Sequence, residues 1–154
     1  MKVLLISYED ACRSRIAEFL LSSFGRGMQI QTAGISEASR VPDLVREIMD
    51  KNGHDISCAK PTSISACVHT SWDYVITLCK EAEDALKELD LRASHIAQFQ
   101  FDDPFNKNHL AEEEEIESLY DEMDRVLYRF YRDELREQLL PRCSCGANTF
   151  CRCQ

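Results

Sequence analysis

The stretch VLLISYEDACRSRIAEFLL, residues 3–21, holds a strand, a loop and the start of a helix in one run. Val3-Leu4-Leu5-Ile6 is apolar and of strand length, and reads as a buried strand. Arg15-Ile16-Ala17-Glu18-Phe19-Leu20-Leu21 reads as the first turns of a helix. A strand, a tight loop and a helix N-terminus form a geometry that grips anions. Arg13 and Ser14 suit that task. Glu9 and Asp10 sit in the same loop and oppose it.

Outward from this stretch, strand and helix signals alternate. Residues 2–7 read as the first strand and 13–25 as a helix closed by Gly25 and Gly27. Residues 28–34 alternate as a second strand and stop at Gly34. Pro42 to Asn52 carries Leu44, Val45, Ile48 and Met49 at helical spacing, with Gly53 as the stop. Residues 55–64 read as irregular connection, 72–79 as a buried strand and 80–89 as a helix. Ile96 to Phe101 is the expected fourth strand, followed by the polar loop FDDPFNKN. Glu112 to Leu140 reads as one long helix with Ile116, Leu119, Met123, Val126, Leu127 and Phe130 inward. This order predicts an α/β fold, a parallel sheet covered on both faces, with ligands at the carboxyl ends of its strands. The ends at Ser7, Cys79 and FDDP would face one side.

The chain has 154 residues, 44% hydrophobic and 29% charged, which fits one soluble domain at 1–140. Residues 141–154, from Pro141 onward, are an appendage. No apolar run is long enough for a membrane span and no signal-peptide pattern opens the chain, so a cytoplasmic protein with no membrane partner is expected. A net charge of −9 argues against nucleic acid as a partner. The run Glu112–Glu115 reads as a solvated helix start favoured by the helix dipole.

With TAGI at 32–35, GHDIS at 53–57, WDYVITLC at 72–79 and FDDP at 101–104, the chain resembles the low-molecular-weight protein tyrosine phosphatases. It equally resembles the thioredoxin-coupled arsenate reductases of the same fold. The resemblance implies a three-layer αβα sandwich with a four-stranded parallel sheet. It also implies an oxyanion loop made of Ser7, Tyr8, Glu9, Asp10, Ala11, Cys12, Arg13 and Ser14. In that family a Cys thiolate attacks the phosphorus or arsenic centre, an Arg grips two oxygens and an Asp before Pro protonates the leaving group. The matching positions here are Ser7, Arg13 and Asp103, with Asp102 as the neighbouring alternative.

Ser7 at the nucleophile position is the central departure. A Ser hydroxyl without a neighbouring base is a poor nucleophile at neutral pH. Glu9 and Asp10 replace the family's usual Gly and Asn, though Asp tolerates the left-handed backbone as Asn does. The expected protein is therefore a pseudoenzyme that binds phosphate, another oxyanion or a phosphorylated protein, and that requires no cofactor. The alternatives are a working phosphatase or arsenate reductase using Ser7 or Cys12. The reductase relay would use Cys79, but Leu86 occupies its next position. Tyr8 and Phe105 are candidates for the pocket mouth, while Cys58, Cys67, His54, His69, His95 and His109 are assigned no role. The tail CSCGANTFCRC places Cys143, Cys145, Cys151 and Cys153 as a candidate site for zinc or another soft metal, a third reading as a metal or thiol sensor.

Overall fold

A computed structural model describes residues 1–105 and 110–140. Four parallel strands form the sheet in the order β2-β1-β3-β4: β1 (Lys2–Glu9), β2 (Gln29–Ser36), β3 (Ser71–Thr77) and β4 (Arg92–Gln98). Between them run α1 (Arg13–Phe24), α2 (Asp43–Lys51) and α3 (Lys80–Leu86), and a short 3₁₀ turn covers Ile64–Ala66. The expected α/β sandwich with a four-stranded parallel sheet is the fold observed.

Alternation along β1 divides the core. Val3 and Leu5 pack with Ile16, Leu20, Val45, Ile48 and the long helix, on one face of the sheet. Leu4 and Ile6 pack with Ile64, Val75 and Ala82 on the other. All four β1 residues are fully buried. Each contributes about 1.5–3 kcal/mol of transfer free energy. A central parallel strand buried on both faces reads as a continuous apolar run, which is why 3–6 carried so clear a signal.

Two strands differ from expectation in a consistent way. β1 runs two residues past Ser7, and β2 two residues past Gly34, because they continue to pair: Ser7 with Gly34, Glu9 with Ser36. β4 begins four residues before the expected Ile96. Its register is set by β3, with Ser71 opposite Arg92 and Thr77 opposite Gln98. As an edge strand, mostly exposed, it carries no alternating apolar signal. The last helix is also interrupted: α4 (Glu113–Phe130) passes through one π turn at Tyr131–Leu135 into α5 (Arg136–Leu139). None of the described helices is long and apolar enough to cross a membrane.

Gly34 is needed where β2 passes the loop after β1. A Cβ there would lie 2.6 Å from the Asp10 backbone nitrogen and 3.1 Å from the Glu9 carbonyl carbon. Both neighbours are backbone, so neither can swing aside. Gly34→Ala is expected to destabilise the protein by about 1–3 kcal/mol in urea unfolding; an unchanged midpoint would contradict this packing.

Candidate functional site

The sheet brings three chain segments to its carboxyl edge. Leu78 N–H donates to Ile6 C=O at 2.9 Å, and Phe101 N–H donates to Leu78 C=O at 3.0 Å. The segment after β4 is thereby laid beside the start of α1. Arg13 spans the gap: Nη1 donates to Phe101 C=O at 2.9 Å, and Nη2 pairs with Asp103 Oδ2 at 3.0 Å. Asp103 Oδ1 also accepts from Phe105 N–H at 3.0 Å, which fixes the carboxylate's direction. Arg13 is buried, whereas the Asp103 side chain keeps 21% of its exposure. A cleft of about 140 Å³ opens here, lined by Glu9, Ala11, Cys12 and Arg13 together with Pro42, Asp103 and Phe105. Among the described residues no side chain caps the first turn of α1, so its N–H groups reach the loop uncapped.

Asp10 turns away from this cleft. Its carboxylate is fully buried and accepts from four groups. Ser14 Oγ bonds Oδ1 at 2.7 Å, while Arg15 Nη2 at 2.7 Å, Thr62 N–H at 2.9 Å and Thr32 Oγ1 at 3.1 Å bond Oδ2. Arg15 Nη2 further donates to Lys60 C=O at 2.6 Å. The charge of Asp10 is thus matched inside the protein by Arg15 rather than aimed at an incoming anion. Glu9 is exposed and lines the cleft.

Ser7 is fully buried, and its hydroxyl donates to the backbone carbonyl of Glu9 at 2.6 Å. Among the described residues no imidazole or carboxylate accepts from it. The left-handed bend allowed for at Asp10 is absent, because positive φ occurs only at Gly27 and Gly53 among the described residues. The chain instead stays extended through Glu9 and turns at Asp10 and Ala11 into α1. Anion nests form where consecutive N–H groups converge, often through alternating right- and left-handed residues. Here a carbonyl, not an N–H, meets the Ser7 hydroxyl.

The remaining candidates separate. Phe105 lines the cleft, whereas Tyr8, although exposed, is not among its lining residues. Cys12 lines the cleft but is almost fully buried. Burial pushes its thiol up to about 12, with Asp103 adding to the rise and Arg13 opposing it. Cys79, at the entry to α3, is buried and its thiol is likewise raised by desolvation. Burial also raises Cys67. Cys58 is exposed. His54 stacks on Phe19 at 4.6 Å and His95 on Tyr74 at 4.8 Å, both packing roles. Cys143, Cys145, Cys151, Cys153 and His109 lie outside the described residues; among the described residues no His, Cys, Asp and Glu side chains cluster as metal ligands.

A parallel αβα sandwich with a strand–loop–helix ending in Arg-Ser, and an Asp-Pro loop folded back on that Arg, defines a phosphatase-type class of protein. The chain belongs to the low molecular weight phosphotyrosine protein phosphatase family, whose sequence profile matches residues 2–140. No curated protein sequence matches it significantly. Solved structures share the fold. The tyrosine phosphatase Wzb from Escherichia coli K30, in complex with sulphate, is 18% identical with a TM-score of 0.70, covering 85% of this chain and 96% of that one. An arsenate reductase from Archaeoglobus fulgidus is 17% identical with a TM-score of 0.64, covering 85% and 99%. A Corynebacterium glutamicum thioredoxin-dependent arsenate reductase is 26% identical with a TM-score of 0.64, covering 89% of this chain and 63% of that one.

Two site residues escaped the sequence reading. Arg15 holds Asp10, and the carbonyl of Phe101 holds Arg13. A signal existed for the first: an acid placed in a buried loop calls for a nearby cation, and Arg15 is five residues on. The second had none, since any residue has a carbonyl. Removing one partner of a buried ion pair costs about 3–5 kcal/mol. Arg15→Met should therefore cost about that much in urea unfolding. Asp10→Asn breaks the same pair from the other side, and its single amide oxygen can serve Ser14 or the Thr32 and Thr62 side but not both, so it should cost a similar amount; a loss below about 1 kcal/mol in either variant would show that the charge pairing is not the source of stability.

Proposed function

We propose that this chain is a catalytically impaired member of its family that holds one phosphate-class oxyanion at Arg13, in exchange with Asp103. The observation that carries the reading is the Arg13–Asp103 pair in the cleft. One nitrogen of the guanidinium is anchored on Phe101 C=O, and another meets a partly exposed carboxylate at 3.0 Å. A phosphate oxygen could accept from Nη2 as Asp103 Oδ2 now does. The anchored Arg would pass from one to the other without reorganising. The uncapped first turn of α1 adds N–H donors and a favourable dipole for an anion. The sulphate bound by the related Wzb fold supports an oxyanion as the ligand class. A phosphorylated protein is the partner class this implies.

Impairment follows from the nucleophile position. The Ser7 hydroxyl is buried and spends its proton on Glu9 C=O, with no base among the described residues to take it. Cys12 does not substitute: burial pushes its thiol up to about 12, which keeps it protonated at neutral pH. The reductase relay fails for a related reason, since Cys79 is buried and Leu86 follows where a second thiol is needed.

Calorimetric titration with phosphate, arsenate and vanadate tests the reading. Arg13→Ala should weaken binding at least tenfold. Asp103→Asn should tighten it several-fold, because the competing carboxylate loses its charge. Aryl phosphate turnover should stay at background in both. Binding indifferent to Arg13, or turnover abolished by Asp103→Asn, would overturn the proposal.

A further inference from the structure

A second cleft lies at the other end of α1. Arg13 opens this 12-residue helix and Phe24 closes it, so the two sites are about 17 Å apart along its axis. The second cleft is about 490 Å³ and is lined by Phe24, Asp124, Arg125, Tyr128, Arg129 and Arg132.

Its lining is basic although the chain is acidic. The chain carries a net charge of −9, and α4 opens with a run of glutamates. Yet Arg125 and Arg129 lie one turn apart on α4, and Arg132 in the π turn that follows lines the same cleft. Arg132 pairs with its neighbour Asp133 at 2.7 Å. Among the described residues Arg125 and Arg129 make no ion pair, and both are exposed. Like charges one turn apart disfavour a helix. The dipole of α4 favours a cation in its last turn, and that accounts for Arg129 without accounting for the aromatic wall beside it. Phe24 and Tyr128 form that wall, in edge contact at 5.3 Å. Tyr128 is 52% exposed, so much of its ring is open to the cleft side or solvent.

We propose that this cleft is a second anion site, for an aromatic phosphate. The phosphate sits on Arg125 and Arg129, whose planar forks match its oxygens. The aromatic ring packs on Tyr128 and Phe24. Asp124 is the one carboxylate among the lining residues and Asp133 just outside is paired with Arg132, so the cleft keeps a modest net positive charge from Arg125 and Arg129. The site is independent of Arg13 and does not rest on the oxyanion proposal above.

The test titrates the full chain with AMP, with phenyl phosphate and with inorganic phosphate, following heat and the Tyr128 ring resonances. AMP represents a nucleotide source and phenyl phosphate a phosphorylated aromatic side chain; the tighter of the two names the source. Expected are shifts at Tyr128 whose titration gives an affinity for a ring-bearing phosphate at least tenfold above that read from the same resonances for inorganic phosphate. The combined exposed substitutions Arg125→Gln and Arg129→Gln should weaken that binding at least tenfold, and Arg13→Ala should leave the Tyr128 shifts in place. Three results would each overturn the proposal: no binding of either aromatic probe up to about 10 mM, equal affinity for inorganic phosphate, or binding untouched by the paired Arg substitutions.

Discussion

The buried carboxylate of Asp10 is the constraint on which the site depends. It joins four parts of the chain that are brought together only by folding: Ser14 and Arg15 in α1, Thr32 in β2 and the backbone of Thr62. The same junction is closed by Gly34, whose N–H donates to Thr62 C=O at 2.8 Å and whose missing side chain leaves room for the loop. A buried charge is tolerated only when paired and fully hydrogen-bonded. Asp10 meets that condition, and in doing so fixes where the loop after β1 must lie.

The position of that loop decides what it can do. With Asp10 drawn inward, β1 stays extended to Glu9 and keeps pairing with β2. The carbonyl of Glu9 then lies against the Ser7 hydroxyl, where a phosphate cradle would need donors. The proposed oxyanion site rests instead on Arg13 and on the start of α1. Arg13 in turn depends on the segment after β4, which supplies both its carbonyl anchor and its carboxylate partner. Each buried cation at this edge thus meets an acid, Arg15 with Asp10 and the more exposed Glu18, and Arg13 with Asp103. The two pairs differ in exposure. Asp10 is sealed in, whereas the Asp103 side chain reaches solvent.

Charge is also sorted along the molecule. α1 has a buried Arg at its start and an aromatic side chain at its end, and α4 runs alongside it from glutamates to arginines. Phe24 therefore meets the arginine half of α4, and a basic, aromatic cleft forms in an acidic protein. Neither helix carries that cleft alone.

The sequence by itself determined the αβα sandwich and its family. Apolar runs at 3–6 and 72–79 and helical stripes at 42–52 and 112–130 are local patterns tied directly to burial. The family resemblance pointed to Ser7, Arg13 and Asp103, and the fold brings Arg13 and Asp103 into contact at 3.0 Å. The true start of β4 was not legible, since an exposed edge strand takes its register from a neighbour rather than from its own side chains. Nor was the role of Asp10. Its sequence position suggested a charge beside the anion, and only the packing of α1, β2 and residues 60–62 around it turned that charge inward. Whether a carboxylate repels a ligand or ties a loop depends on which groups surround it in space. Those groups come from segments up to 52 residues away, and only the tertiary structure brings them together.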